Sequence, residues 1–286
     1  MSGFTVINMF GEPSTRTRTS FELAGRRLGA DVINFIGDAS TSVAKGETPL
    51  DTALTLDAMG GDALVVRDRR ERFPHELTGR LRARIVNAGD GCNEHPTQAL
   101  LDALTILEAL DCEPVAGSLA GVRVAICGDI RHGRVPHSNM RLLRMLGADV
   151  VVAGPPGLID EDTQTRFGVA QVENLDAAVT NADAVMMLRV QRERLPADVV
   201  MPDDASYHAV WGLNARRVGL MAPHGIVMHP GPMNRGVEIA DDVADGPRSR
   251  IRRQVTLGVA VRMAVLARAC GVALPGAEPQ AGEGRR

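Results

Sequence analysis

Lysine is all but missing from this sequence: of 32 basic residues, Lys45 is the only lysine and the other 31 are arginine. A bias toward arginine explains the 31 and not the exception. An ammonium on a flexible stem does what a planar guanidinium cannot, so Lys45 is a candidate for a site that needs the ammonium itself. Aromatic residues are scarce too, at 3% against an apolar share of 44%, and the core must be built from Ala, Val, Leu, Ile and Met. The four cysteines, Cys92, Cys112, Cys127 and Cys270, include no Cys-x-x-Cys pair, which argues against a disulfide frame or a zinc site and for reduced thiols in the cytosol. No stretch approaches the roughly 18 apolar residues of a membrane span, and the N-terminus lacks a signal-peptide pattern. A formal net charge of -3 over 286 residues leaves no broad basic surface for nucleic acid or a bilayer. A soluble, cytoplasmic protein is expected, and any anion site in it must be local.

What is present is repeated alternation of strands and helices. Residues 4–10 read as a strand, 20–28 as an amphipathic helix, 31–35 as a strand, 48–59 as a helix, and 62–67 and 84–87 as further strands. Apolar residues then recur at helical spacing from Pro96 to Leu110, and a Pro/Gly/Ser-containing linker, Glu113 to Ser118, follows. A second series places strands at 122–127, 149–153, 184–188 and 225–228 and a helix at 137–146, and closes on a long amphipathic helix, Ile251 to Cys270. Such alternation signifies parallel sheets with helical crossovers, whose ligands bind beyond the carboxyl ends of the strands.

The conspicuous motifs fall at those ends. Ser14-Thr15-Arg16-Thr17-Arg18 follows the first strand and opens a helix, where hydroxyls, backbone N–H groups and guanidinium can converge on a phosphate. Read without its arginines, the string would be only a Ser/Thr cap. With Glu12-Pro13 before it and Ser20-Phe21-Glu22 after it, this segment resembles the aspartate and ornithine carbamoyltransferase family. The resemblance implies that Ser14, Thr15, Arg16 and Thr17 hold the phosphate of carbamoyl phosphate. His95-Pro96-Thr97-Gln98 starts a helix with His95 and Gln98 on one face. It is similar to the family's second motif, which implies that His95 donates to the carbamoyl oxygen and Gln98 contacts the carbamoyl amide. Arg67, at a strand end, becomes by the same resemblance a further contact to phosphate and carbonyl oxygen. The chain departs from the family beside it, with Asp68 where histidine is usual, a charged run from Arg69 to Arg72, and Gly11 where a larger apolar residue is usual.

The second half supplies what reads as a dicarboxylate site. Gly128-Asp129-Ile130-Arg131-His132-Gly133-Arg134 and Leu188-Arg189-Val190-Gln191 each follow a strand, and arginine forks are the best side-chain match to carboxylates. The resemblance gives Arg134 the α-carboxylate of L-aspartate, and Arg189 with Gln191 its side-chain carboxylate. His229-Pro230-Gly231-Pro232 is a stiff loop; its carbonyls at Gly231 and Pro232 are implied to receive the carbamoyl N–H groups. The loop holding Ser42 and Lys45 is implied to reach a neighbouring subunit's active site, where Lys45 would pair with phosphate and with L-aspartate, making a homotrimer with shared sites.

The fold implied is α/β, with two doubly wound parallel-sheet domains joined by interdomain helices. Residues 1–112 would bind carbamoyl phosphate, in an N-terminally shortened domain, and 113–250 would bind aspartate. Residues 251–272 would form a helix returning to the first domain, and 273–286 a disordered tail. The function implied is aspartate carbamoyltransferase, a step of pyrimidine biosynthesis, with Arg16, Thr17, Arg67 and His95 as catalytic residues and no metal or organic cofactor. Ornithine carbamoyltransferase shares the first-domain motifs, but the two-arginine arrangement repels a cationic side chain. A non-catalytic family member serving as an assembly partner is the alternative of another class, and regulatory chains are admitted as further partners.

Overall fold

Along the strand Thr5–Phe10 (β1), Val6 and Phe10 turn to one side and Ile7 and Met9 to the other, and all four are buried. A strand buried on both faces needs helices on both faces, which is the doubly wound arrangement. The computed structural model, which describes residues 1–37, 46–192, 195 and 201–274, shows it twice. The chain forms two compact units, one of Met1–Asp90 with the segment from Gly258 onward, the other of Gly91–Leu257. Ser42 and Lys45, and the expected tail beyond residue 274, lie outside the described residues.

In the first unit β1 is followed by Thr15–Arg27 (α1), Asp31–Ile36 (β2), Pro49–Ala58 (α2), Ala63–Asp68 (β3), Phe73–Leu77 (α3) and Arg84–Asp90 (β4). All pairings are parallel and the strand order is β2-β1-β3-β4. The chain therefore winds one way from β1 and returns to wind the other way from β3. The second unit runs through Pro96–Ala109 (α4), Arg123–Cys127 (β5), Arg134–Met145 (α5), Asp149–Ala153 (β6), Thr163–Phe167 (α6), Ala170–Gln171 (β7), Leu175–Val179 (α7), Ala184–Met187 (β8), Asp204–Trp211 (α8), Ala215–Val218 (α9), Ile226–Met228 (β9) and Asp241–Ala244 (α10). Its sheet is parallel with the order β7-β6-β5-β8-β9, so winding reverses between β5 and β8.

Helix Ile251–Ala269 (α11) begins in the second unit and ends in the first. Leu266 is buried with Val6, Phe10 and Phe21. Arg262 anchors the same helix: its Nη1 donates to Ser20 Oγ at 2.9 Å and its guanidinium lies 5.2 Å from the Phe21 ring, a cation–π contact. By packing, the units divide at Asp90 and Leu257, earlier along the chain at the first break than the linker near 113. The reason is α4, whose Ala103, Ile106 and Leu107 join the core built on β5 and β6.

Two helices start earlier than their apolar patterns suggest, α1 at Thr15 and α5 at Arg134. The first turn of α1 is polar, and that of α5 sets only Val135 and Pro136 beside Arg134 and His137, too little for apolar spacing to register. The departures at Gly11 and Asp68 prove to be one feature. A Cβ on Gly11 would stand 2.9 Å from Asp68 Oδ2, so the buried carboxylate occupies the space that a larger residue at position 11 would need.

Candidate active site

Of the expected site residues, Ser14, Thr15, Arg16, Thr17 and Arg67 lie where winding reverses in the first unit, and Arg134, Arg189 and Gln191 where it reverses in the second. Such switch points leave a crevice beyond the strand ends, because the two adjoining loops run to opposite faces of the sheet.

In the first unit the crevice lies beyond β1 and β3. Ser14 is the N-cap of α1, and Thr15, Arg16 and Thr17 form its first turn, with no acidic residue among them. The first N–H groups of a helix have no intrahelical acceptor and share the positive end of the dipole. Ser14, Thr15, Arg16 and Thr17 thus present backbone donors, hydroxyls and a guanidinium from one turn, which suits a phosphate. Arg67 sits beside this turn, since Phe10 pairs with Arg67 across the sheet and Gly11 N donates to Arg67 O at 2.8 Å. The register between β3 and β4 shifts there, β4 carrying an extra residue between Asn87 and Asp90, and such a bulge re-aims the neighbouring side chain. Arg67 Nε is 2.7 Å from Glu12 Oε1 and its Nη1 donates to Ala88 O at 3.2 Å. The guanidinium is thereby fixed at the strand end.

In the second unit the crevice lies beyond β5 and β8. Gly128, at φ 127, could carry no side chain, because its Cβ would fall 2.6 Å from Leu188 O; the two strand ends close up on that account. Arg134 is the first residue of α5, only 6% exposed, in a turn without acids. A positive helix end attracts an anion, and a guanidinium placed there adds to the attraction. Arg189 and Gln191 lie on the adjoining loop, half-buried. Buried Asp129 ties the loops together, accepting from Gln191 N at 3.2 Å and from His132 N at 3.1 Å. Gln191 Nε2 donates to His132 O at 3.1 Å, so this amide is partly committed to holding the loop.

His95 caps α4 and is buried; its N–H donates to Ser138 Oγ on α5 at 2.8 Å. Gln98, one turn on, donates from Nε2 to Asp102 Oδ1 at 2.9 Å. The loop of Gly231 and Pro232 is held from beneath. Gly231 N donates to His229 Nδ1 at 2.8 Å, so the imidazole proton is on Nε2, which donates to Glu238 Oε1 at 3.0 Å. That same carboxylate oxygen accepts from Asn234 N at 2.6 Å. Nearby His137 is structural: it stacks on Phe167 at 5.2 Å and its Nδ1 is 2.7 Å from Cys92 O, and burial above all holds its pKa below the usual histidine value.

Reading the sequence overlooked Glu12, Asp102, Asp129, Ser138, Asn139, His229 and Glu238 as supports. Only Asp102 left a usable signal, a carboxylate one turn beyond Gln98 on a buried helix face.

Comparison with known proteins identifies the family. Residues 1–108 match the carbamoyl-P binding domain of aspartate/ornithine carbamoyltransferases, and 120–269 match their Asp/Orn binding domain. The aspartate carbamoyltransferase catalytic subunit of Gluconobacter oxydans is 54% identical over 275 residues, covering 96% of this chain and 85% of the relative. That of Acidothermus cellulolyticus is 53% identical over 266 residues, covering 93% and 80%. Among solved structures, aspartate transcarbamoylase from Trypanosoma cruzi, in complex with carbamoyl aspartate and phosphate, superposes with a TM-score of 0.77 at 34% identity, covering 95% of this chain and 84% of that one. Ornithine carbamoyltransferase from Thermus thermophilus reaches a TM-score of 0.80 at only 26% identity, covering 94% and 87%. Backbone shape is thus common to both activities, and side chains must separate them. With both domain models matched in order along one polypeptide, the chain belongs to the aspartate/ornithine carbamoyltransferase family.

Proposed function

We propose that this chain is an aspartate carbamoyltransferase, converting carbamoyl phosphate and L-aspartate to N-carbamoyl-L-aspartate and phosphate, a step of pyrimidine biosynthesis. The observation that carries the choice of acceptor is the pairing of buried Arg134, at the positive end of α5, with Arg189 on the adjoining loop. Two guanidiniums suit a dicarboxylate and repel the side-chain cation of ornithine. Identity of 53–54% to relatives named for aspartate, against 26% to the ornithine enzyme, supports the same reading.

The chemistry follows from the groups assigned. The neutral amine of aspartate attacks the carbamoyl carbon, forming the C–N bond and placing negative charge on the carbonyl oxygen. The family resemblance assigns Arg67, His95 and Thr17 as the donors for that charge. Collapse breaks the C–O bond to phosphate, which leaves toward Ser14, Thr15, Arg16 and Thr17 and takes the amine proton, so no side-chain base is needed. Gln98 and the carbonyls of Gly231 and Pro232 hold the carbamoyl amide, and Gln191 assists Arg189. Catalysis in this scheme is positioning and electrostatics.

The test is steady-state formation of N-carbamoyl-aspartate by the purified chain, with ornithine as the competing acceptor. Saturable turnover of aspartate alone, lost in Arg16→Ala, is the expected result; turnover of ornithine, or of neither acceptor by a folded chain, would overturn the reading.

We further infer a cytoplasmic homotrimer in which Ser42 and Lys45 act in the neighbouring subunit's site, a reading supported by the family resemblance and by the solitary lysine. Mixing Lys45→Ala with Arg134→Ala chains should then restore part of the activity through hybrid trimers carrying one intact site. No recovery in mixtures with demonstrated subunit exchange would contradict shared sites.

A further inference from the structure

Three polar residues that the proposed chemistry leaves without a task meet inside the second unit: Asp102, Asn139 and Gln254, which are 0%, 0% and 2% exposed. Asp102 Oδ1 accepts from Gln98 Nε2 at 2.9 Å and from Gln254 Nε2 at 2.7 Å, and Asp102 Oδ2 accepts from Asn139 Nδ2 at 2.9 Å. Gln254 Oε1 in turn accepts the backbone N–H of His229 at 3.0 Å. One carboxylate therefore joins α4, α5 and α11 to the start of the Pro230–Pro232 loop.

A carboxylate accepts and a backbone N–H donates, so the direction of every amide in this chain is dictated. Gln254 must turn its NH2 to Asp102 and its oxygen to His229. Gln98 must turn its NH2 inward to Asp102, which leaves its carbonyl oxygen as the end presented outward. The amine of a carbamoyl group has two N–H donors and a lone pair delocalised into its carbonyl, so an acceptor is what it requires. Burying a carboxylate and the amides that serve it is costly compared with apolar packing. The arrangement is better accounted for by the orientation it imposes than by stability.

We propose that Asp102 is a positioning residue that sets Gln98 with its carbonyl oxygen toward the carbamoyl amine and, through Gln254, pins the backbone of the His229 loop that receives the same amine. This rests on the carbamoyl-transfer reading above. Asn139 steadies the far oxygen of Asp102 and also donates to Val135 O at 3.1 Å.

The experiment is a double-mutant cycle of Asp102→Ala and Gln98→Ala in the full chain, with thermal melting alongside. Asp102→Ala should lower kcat/KM for carbamoyl phosphate by about 10- to 100-fold, the scale of a misplaced reacting group. Inhibition by inorganic phosphate, held by the first unit, should be unchanged. In the Gln98→Ala background the same substitution should cost less than in the parent, leaving only the part that runs through Gln254 to the His229 loop. Losses that multiply, or a folded Asp102→Ala chain as active as the parent, would overturn the proposal. Should Asp102→Ala not fold, the swap Asp102→Asn with Asn139→Asp restores an acceptor for Gln98; recovery of turnover supports the assignment, and a folded swap as impaired as Gln98→Ala refutes it. A parent chain with no carbamoyl transfer would sink the underlying reading as well, an outcome distinct from an active parent indifferent to Asp102.

Discussion

Arg67→Ala should lower kcat by about 100- to 1,000-fold, the usual cost of removing one donor aimed at a developing oxyanion. The expectation follows from where the guanidinium is held. Arg67 lies on the last part of β3, beside the extra residue of β4, with Nε on Glu12 and Nη1 on Ala88 O. Those partners fix one edge of the fork. A guanidinium has five N–H donors in a fixed fork, the geometry that matches carbonyl and phosphate oxygens. Arg67→Lys should recover little, because an ammonium cannot hold Glu12, Ala88 O and a ligand in one plane. Removing the guanidinium also takes a cation from beside Glu12, so a melting curve must accompany the kinetics. A folded Arg67→Ala chain within about threefold of the parent, where a transition-state donor is worth at least 100-fold, would remove Arg67 from the catalytic set.

Arg67 also shows how far the sequence could be read. Its place at a strand end was legible, because β3 is buried on both faces and reads as an unbroken apolar run, Ala63 to Val66. The turn that makes it useful was not. The shift in register depends on β4, which is paired through hydrogen bonds that no side-chain pattern records. Nor does apolar spacing mark where α1 and α5 start: their first turns are made of Thr, Arg, Val and Pro, and the signals that start them, Ser14 and Gly133 as N-caps, are common in turns as well. Strand β7 has two exposed residues, too few for any periodicity. The departures at Gly11 and Asp68 were visible as departures, yet their mutual contact needed the pairing of β1 with β3 to bring them together. Asp102 is the sharpest case. Its partner Gln98 is one turn away and could be noticed, whereas Asn139 and Gln254 stand 37 and 152 residues along the chain, beyond reach of any local rule.

The acceptor site should respond unequally to loss of its two arginines. Arg134→Gln removes a buried guanidinium from the positive end of α5, whereas Arg189→Gln removes a half-buried one from a loop. Truncating one partner of a buried, hydrogen-bonded charge pair costs about 2–5 kcal/mol, or roughly 30-fold to several thousandfold in affinity. Partial exposure lowers that cost, since water screens the pair and can replace the lost donor. Arg134→Gln should therefore raise the KM for aspartate by about 100-fold or more, and Arg189→Gln by less, near the lower end of that range. Both should leave the KM for carbamoyl phosphate almost unchanged if they serve the acceptor alone. The two assignments can be separated with asparagine, which keeps the α-carboxylate and has a neutral side chain. In the parent, exchanging aspartate for asparagine should cost nearly all the activity. In Arg189→Gln the same exchange should cost little, because the group that distinguished the two acceptors is gone; in Arg134→Gln the discrimination should persist. Equal discrimination in both variants would mean that Arg189 does not hold the side-chain carboxylate, and the dicarboxylate reading of the second unit would then rest on Arg134 alone.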